Sequence, residues 1–388
     1  MIEPSAAQNT RFRPTVIWYT TFRCNLACKH CLVNSSPFVN TTFDMTTKEA
    51  LTAVSRISEI EPSTVILTGG EPLMRPDIQE ILQALFDKRF RVAIESNGML
   101  VTDDLSQFLH KRLCDGVDLT VGVSVDGGDA ETHEFQRGLG SFEAMLRGIK
   151  ILRRYKIPVT IQCTVNRVNV STLPSLFELC NLMGLERLIF AFVNPIGRAQ
   201  EFMDQLGLSL SDMERCLGLI ITAMETYPNI RTVIKLPPAM IPPHILPRFI
   251  HFWRKQSNGG ALSTSCNFPV QGILPDGSIT ICSVTRTNNQ AYLGNIKDDS
   301  LVDIWEHHRF SSMRERYLAS DWLKNICGDC VFKKGCKGSC RSWAYTEYGG
   351  FSESHPLCSA MESQGSFPNI YRISYKDKLL TKNKIDVG

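Results

Sequence analysis

No stretch of these 388 residues runs to eighteen apolar side chains, and the opening MIEPSAAQNTRFRP holds no apolar run of the kind a secretion signal needs. Both absences argue against membrane insertion and export, and lead us to expect a cytoplasmic protein. A strong charge imbalance is missing as well: 42 Lys and Arg stand against 39 Asp and Glu, a net charge of +3. That excess is too small to imply a nucleic-acid partner. Most of it lies in the end segment YRISYKDKLLTKNKIDVG, which reads as a solvated, frayed tail. The apolar fraction of 43% and charged fraction of 21% are ordinary for a globular chain. The length suits one large domain and a smaller one.

Cysteine is abundant: there are fourteen. In a reducing compartment they are poor disulfide material and good metal ligands. Cys114, Cys163, Cys180 and Cys216 stand singly in apolar or helical surroundings and read as buried core thiols. Three others crowd into CNLACKHC at 24–31, and seven fall in the last third of the chain.

Between these groups the pattern alternates. PTVIWYTT, STVILTGG, RVAIESNG, DLTVGVSVDG, PVTIQCTVN and ERLIFAFV read as strands, and amphipathic helical stretches separate them. The first of those helices is opened by TTKEALTAVSRISEI, where Thr46 or Thr47 can cap with Glu49 close behind. Such alternation implies parallel βαβ units. Six strands followed by a change of pattern near residue 200 suggest an α/β fold, a partial (β/α)6 TIM-like barrel with a C-terminal cysteine-rich extension. We expect a short N-terminal segment at 1–14, the barrel at 15–200, a helical and proline-rich connection at 201–262, the extension at 263–362 and a basic tail at 363–388.

Active sites of such barrels lie at the C-terminal ends of the strands. Cys24, Cys28 and Cys31 follow the first strand directly. Three thiolates on a cubane iron–sulfur cluster leave one iron open, as a catalytic metal centre requires. Zinc would need a fourth ligand, and the adjacent His30 is awkwardly placed for that role. The second strand ends in TGGEP, where Gly69 and Gly70 permit close backbone approach and Pro72 stiffens the exit. The third ends in ESNG and the fourth in SVDG, and Arg137 follows in FQRGLGSF with a planar fork suited to a carboxylate. Each of these alone is more often a turn.

The spacing Cys24-x3-Cys28-x2-Cys31 with GGEP downstream resembles the radical S-adenosylmethionine (SAM) superfamily. The resemblance implies a [4Fe–4S] cluster whose open iron takes the amino and carboxylate groups of SAM. Reductive cleavage of SAM then yields a 5′-deoxyadenosyl radical that abstracts a substrate hydrogen atom. Carried onto this chain, it places Gly69, Gly70 and Glu71 at the SAM amino group and Ser124 and Arg137 at its carboxylate. Asn97 and Asp126 fall near the ribose or its supporting shell, and His30 stands where relatives have an aromatic against adenine. The resemblance also implies a low-potential electron donor such as flavodoxin or ferredoxin.

The last third runs Cys266-x10-Gly277-x4-Cys282, then Cys327-x2-Cys330-x5-Cys336-x3-Cys340, then Cys358. Alone, CGDC with CKGSC reads as a zinc ribbon, but seven ligands do not divide into closed four-ligand zinc sites. The pattern, with LGNI and IW between the cysteine groups, is similar to the SPASM extension of the same superfamily. That likeness implies two auxiliary iron–sulfur clusters, the first on Cys266, Cys282 and Cys340 and the second on Cys327, Cys330, Cys336 and Cys358. CNFPVQG lacks the extra cysteine some relatives carry, which leaves an open or non-cysteine position on the first. Clusters near a radical centre favour oxidation or cross-linking.

The best-known SPASM branch modifies ribosomally made peptides or protein side chains, and we expect a peptide substrate first. Only about fourteen residues precede the first strand, too few for the winged-helix recognition domain of many peptide maturases. A separate peptide-recognition protein is therefore a possible partner. Ser283 stands where sulfatase-maturing relatives have a catalytic aspartate, which argues against that activity. The run CKGSCRSWAYTEYGGFSESHPLC also resembles haem-pathway relatives that act on tetrapyrrole side chains, the alternative reading. A non-catalytic zinc or iron–sulfur sensor is the remaining class, and it has no need of an open three-ligand loop beside GGEP. Glu95 and Asp126 are polar groups near strand ends, and neither is singled out as a general base.

Overall fold

A computed structural model describes residues 13–257, 271–282 and 291–375. Six parallel strands, β1 (Thr15–Thr21), β2 (Thr64–Gly69), β3 (Val92–Ser96), β4 (Leu119–Ser124), β5 (Val159–Val165) and β6 (Arg187–Phe192), pair in sequence order. Helices cross between them, the first being Thr47–Glu59. Thr46 caps that helix through a full capping box with Glu49, as the sequence suggests.

The strands sort their residues by the two-residue period. One face sends Val16, Trp18, Val65, Leu67, Val92, Ile94, Val121, Val123 and Ile161 into the apolar core under the helices. The other face lines the barrel interior with polar groups, among them Glu95, Ser124, Gln162 and Thr164.

Two features go beyond six strands and a separate extension. Within the segment expected to be a connection, Arg231–Ile234 forms β7, which adds in parallel to β6. Beyond the barrel, β8 (Gln271–Ile273) pairs in parallel with β1, and the short antiparallel strands β9 (Ser278–Thr280) and β10 (Tyr292–Asn295) follow it. The sheet therefore runs β10-β9-β8-β1-β2-β3-β4-β5-β6-β7 without a break. The start of the extension is hydrogen-bonded onto the barrel. Short helices at Asn325–Gly328, Lys333–Cys336 and Pro356–Ser363 carry Cys327, Cys336 and Cys358, and Cys340 caps a further helix at Arg341–Tyr348. Among the described residues no helix is long and apolar enough to cross a membrane.

Candidate active site

The loop from β1 to the first helix is tied down along its length. Arg75, buried, pairs with Asp77 through two bonds (2.9 and 2.7 Å) and donates to the carbonyls of Thr20 (2.9 Å) and Met45 (3.0 Å). One guanidinium thus holds both ends of the cysteine loop. Inside the loop, the Cys24 N–H donates to the Ser36 carbonyl at 3.1 Å. Arg198, beyond β6, donates to the carbonyls of Cys28 (2.8 Å) and Ser35 (2.7 Å), and its own N–H reaches the Cys31 carbonyl (2.9 Å). The neighbouring Gly197, at φ +65°, is so close to the Cys31 and Leu32 carbonyls that a side chain would collide with them. Nothing in the sequence pattern marked NPIGRAQ as part of the site. Its only signal was a Gly-Arg pair just past a strand end.

Cys24, Cys28 and Cys31 share the wall of a cavity of about 330 Å³ at the C-terminal ends of the six strands. Backbone amides already point at two of the sulfurs: Leu26 N–H to Cys24 Sγ at 3.4 Å and Ser35 N–H to Cys31 Sγ at 3.3 Å. The Arg137 Nη1 lies 4.0 Å from Cys28 Sγ. Burial pushes the Cys24 thiol up to about 12, and the charges of Glu71, Cys28 and Cys31 add to that rise. Burial likewise raises the Cys28 thiol, so a bound cation would favour ionisation of both.

Of the other expected residues, Gly69, Gly70, Asn97, Ser124, Arg137 and His30 line this cavity. The glycines are required by the loop itself. Gly70 N–H donates to the Thr21 carbonyl (2.7 Å) and Glu71 N–H to the Arg23 carbonyl (2.9 Å). A Cβ on either glycine would meet those same carbonyls, at Thr21 and Arg23. The close approach is thus to the root of the cysteine loop. Glu71 is not among the residues that line the cavity. It is fully buried behind the cavity, where Oε1 accepts from Leu73 N–H (3.1 Å) and Ser96 Oγ (2.9 Å), and Oε2 from Asn97 N–H (2.8 Å). Burial raises its carboxyl to about 7, against the pull of those three donors.

Asp126 also lies behind the wall. Its Oδ2 accepts from Arg137 Nε (2.6 Å) and sits 3.3 Å from His30 Nε2, while Oδ1 accepts from Thr164 N–H (2.8 Å). Burial would raise this carboxyl, but Arg137 and the histidines His30 and His133 outweigh it and hold it low. One carboxylate therefore orients both the fork and the imidazole. Burial pushes His30 down to about 4, leaving it neutral near pH 7, and its Nδ1 has no hydrogen-bond partner among the described residues. Glu95 lines the cavity floor, paired with Gln162 across Gly122, whose side of the barrel those two side chains fill.

In the extension, Cys327, Cys330, Cys336 and Cys358 line one small cavity of about 10 Å³. His355 N–H donates to Cys327 Sγ and Phe332 N–H to Cys330 Sγ, both at 3.4 Å. A hydrogen bond from Cys358 brings Cys327 down to about 6 and holds the Cys358 thiol up. Cys340 faces elsewhere, into a second cavity of about 190 Å³ at the seam with the barrel. Cys282 lies just past β9, and Cys266 falls outside the described residues, as does Ser283. Of the scattered cysteines, Cys163, Cys180 and Cys216 are buried as expected, but Cys114 is exposed at the end of its helix.

Among the described residues no three His, Cys, Asp or Glu side chains gather closely enough to hold a single metal ion, and the donor types suit the wider span of an iron–sulfur cluster. Three thiols on a roomy cavity leave space for a cluster with one exchangeable iron, and four thiols around a small one suit a fully ligated cluster. The fork of Arg137, the amide of Asn97 and the unpartnered His30 nitrogen supply polar contacts for a zwitterionic nucleoside beside the three.

Comparison with known proteins agrees with that chemistry. The radical SAM superfamily matches residues 18–180, and the iron–sulfur cluster-binding domain called SPASM matches residues 266–331. The AdoMet-dependent heme synthase of Methanosarcina barkeri is 32% identical over 355 residues, 88% of this chain and 95% of that one. The PqqA peptide cyclase of Granulibacter bethesdensis is 24% identical, covering 87% and 85%. Among solved structures, Streptococcus suis SuiB bound to precursor peptide SuiA superposes with a TM-score of 0.67 at 17% identity, over 89% of this chain and 75% of that one.

Proposed function

This chain belongs to the radical SAM superfamily and carries a SPASM iron–sulfur domain, and from that premise we propose that it oxidises a side chain of a tetrapyrrole. As a radical SAM enzyme it uses a [4Fe–4S] cluster with S-adenosylmethionine and binds auxiliary iron–sulfur clusters. When bound, these groups supply a 5′-deoxyadenosyl radical, removal of a substrate hydrogen atom and a sink for the electron the substrate then loses. Cys24, Cys28 and Cys31 hold the cluster that meets SAM. Arg137, pinned by Asp126, and Ser124 receive the SAM carboxylate, while Asn97 and His30 serve its ribose and adenine. Glu71 acts one layer back, fixing Ser96 and Asn97. Cys327, Cys330, Cys336 and Cys358 hold one auxiliary cluster, and Cys266, Cys282 and Cys340 the other. A low-potential donor, flavodoxin or ferredoxin, supplies the reducing electron.

What carries the tetrapyrrole reading is the likeness to the heme synthase along nearly the whole of both chains. The seam cavity supports it: Phe192, Leu236, Pro237, Trp343 and Leu357 form an apolar wall that also holds Lys235, a lining suited to a flat amphiphile with acidic arms. Peptide maturation is the second reading, favoured by the weaker likeness to the peptide cyclase. The test is anaerobic incubation with SAM, reductant and iron coproporphyrin. We expect 5′-deoxyadenosine to form in step with a change in porphyrin mass. Porphyrin that leaves 5′-deoxyadenosine formation at its no-substrate level and emerges with unchanged mass overturns the reading.

A further inference from the structure

The seam cavity adjoins the SAM-side cavity: Ala191, Phe192 and Asn194, at the end of β6, line both. A molecule in the seam thus reaches the reaction site with one end and Cys340 with the other. Three polar side chains in the seam wall, the exposed Lys235 among them, have hydrogen-bonding capacity that no described residue uses. Lys235 follows β7, its backbone pinned by an N–H bond to the Phe190 carbonyl (2.8 Å), and its ammonium makes no ion pair or hydrogen bond among the described residues. Glu95 is the carboxylate within electrostatic range of it, and Glu95 is engaged by Gln162. The Asn194 side-chain amide likewise has no protein partner among the described residues.

His355 completes the group. It is only 2% exposed, and Trp343 packs edge-on against its ring (5.0 Å, 77°). Its Nδ1 accepts the Leu357 N–H at 3.3 Å, so the ring proton of the neutral imidazole resides on Nε2. That Nε2–H has no acceptor among the described residues, and His355 lines the seam. A cation, an N–H donor and an amide on residues that line one cavity, without a protein partner among the described residues, match a carboxylate.

We propose that Lys235, His355 and Asn194 form a binding subsite for a carboxylate arm of the substrate, seating it between the SAM site and the extension. The identity of the occupant, a tetrapyrrole side-chain carboxylate, rests on the reading above. The subsite fixes which arm lies next to the SAM site, so it orients the substrate.

The test is a Soret-band titration of the cluster-loaded protein with SAM, using iron coproporphyrin and its tetramethyl ester, which involves no turnover. Lys235→Met is expected to weaken binding of the free acid about ten- to a hundredfold, the range of a lost charge-assisted hydrogen bond. Lys235→Arg retains binding. His355→Asn keeps an acceptor for the Leu357 N–H, loses the Nε2–H donor, and weakens binding by a smaller factor. With the ester, wild type and Lys235→Met are expected to bind alike, since the partner of the lysine is gone. Free acid bound equally by wild type and Lys235→Met, at equal iron content, overturns the subsite and leaves the tetrapyrrole reading standing. Wild type that binds neither porphyrin overturns the tetrapyrrole reading, and the occupant named here falls with it.

Discussion

Cys24, Cys28 and Cys31 share about 330 Å³ with the ends of six strands, whereas Cys327, Cys330, Cys336 and Cys358 line only about 10 Å³. The local devices are alike. In each region an amide two residues on donates to a cysteine sulfur at 3.4 Å, Leu26 to Cys24 and Phe332 to Cys330. Each also uses a buried arginine to collect carbonyls. Arg75 takes those of Thr20 and Met45, and Arg341 takes those of Gly338, Phe351 and Glu353. What differs is the neighbour of the fourth position. In the extension it is Cys358, hydrogen-bonded to Cys327; in the barrel it is open space lined by Arg137, Asn97 and Ser124. The same thiol chemistry thus lines a small pocket in one region and a roomy cavity in the other, and the scaffold around the thiols makes the difference.

Removing the three barrel thiols together tests that contrast most severely. Cys24→Ala, Cys28→Ala and Cys31→Ala in one chain are expected to reduce SAM cleavage to background. Three cubanes hold ~12 irons per chain, and about four should be lost. Zinc in the purified protein, with content unchanged in the variant, would sink the iron–sulfur assignment. Cys358→Ser should give the complementary result: about four irons lost from the extension and faster proteolysis within 325–375. Substrate-independent SAM cleavage is expected to stay within about twofold, because distant sites act additively. Loss of SAM cleavage in that variant would show the two centres to be one cooperative unit.

The strand–helix alternation and the cysteine spacing make the barrel and both thiol groups legible in the sequence. The supporting shell was less so, for physical reasons. Arg75, Arg198 and Arg341 act through backbone carbonyls brought from distant segments, and an arginine carries no periodicity that marks it as buried. Strand β7 was missed because RTVI is only four residues long and is followed by prolines. Strands β8 and β9, at three residues each, were too short to reveal that the extension continues the barrel sheet. GGEP signals proximity to the site without saying which way the Glu71 carboxylate turns, and here it is buried.

Smaller effects separate contact from support inside the open site. Arg137→Lys keeps the charge and loses the planar fork that Asp126 orients. The Michaelis constant for SAM is expected to rise about tenfold, with a smaller change in kcat, and an unchanged constant would remove Arg137 from the SAM carboxylate. Glu71→Gln probes the layer behind. The carboxylate accepts from Leu73, Ser96 and Asn97, so an amide of the same shape turns its NH2 toward at least one donor. One buried hydrogen bond is exchanged for a donor–donor contact, at a cost of about 1–3 kcal/mol in stability, read as a lower unfolding midpoint. Because Glu71 does not line the cavity, the Michaelis constant for SAM is expected to move by no more than about twofold in the folded protein. A large rise in that constant with the midpoint unmoved would return Glu71 to the ligand and make its position behind the wall a property of the empty cavity alone.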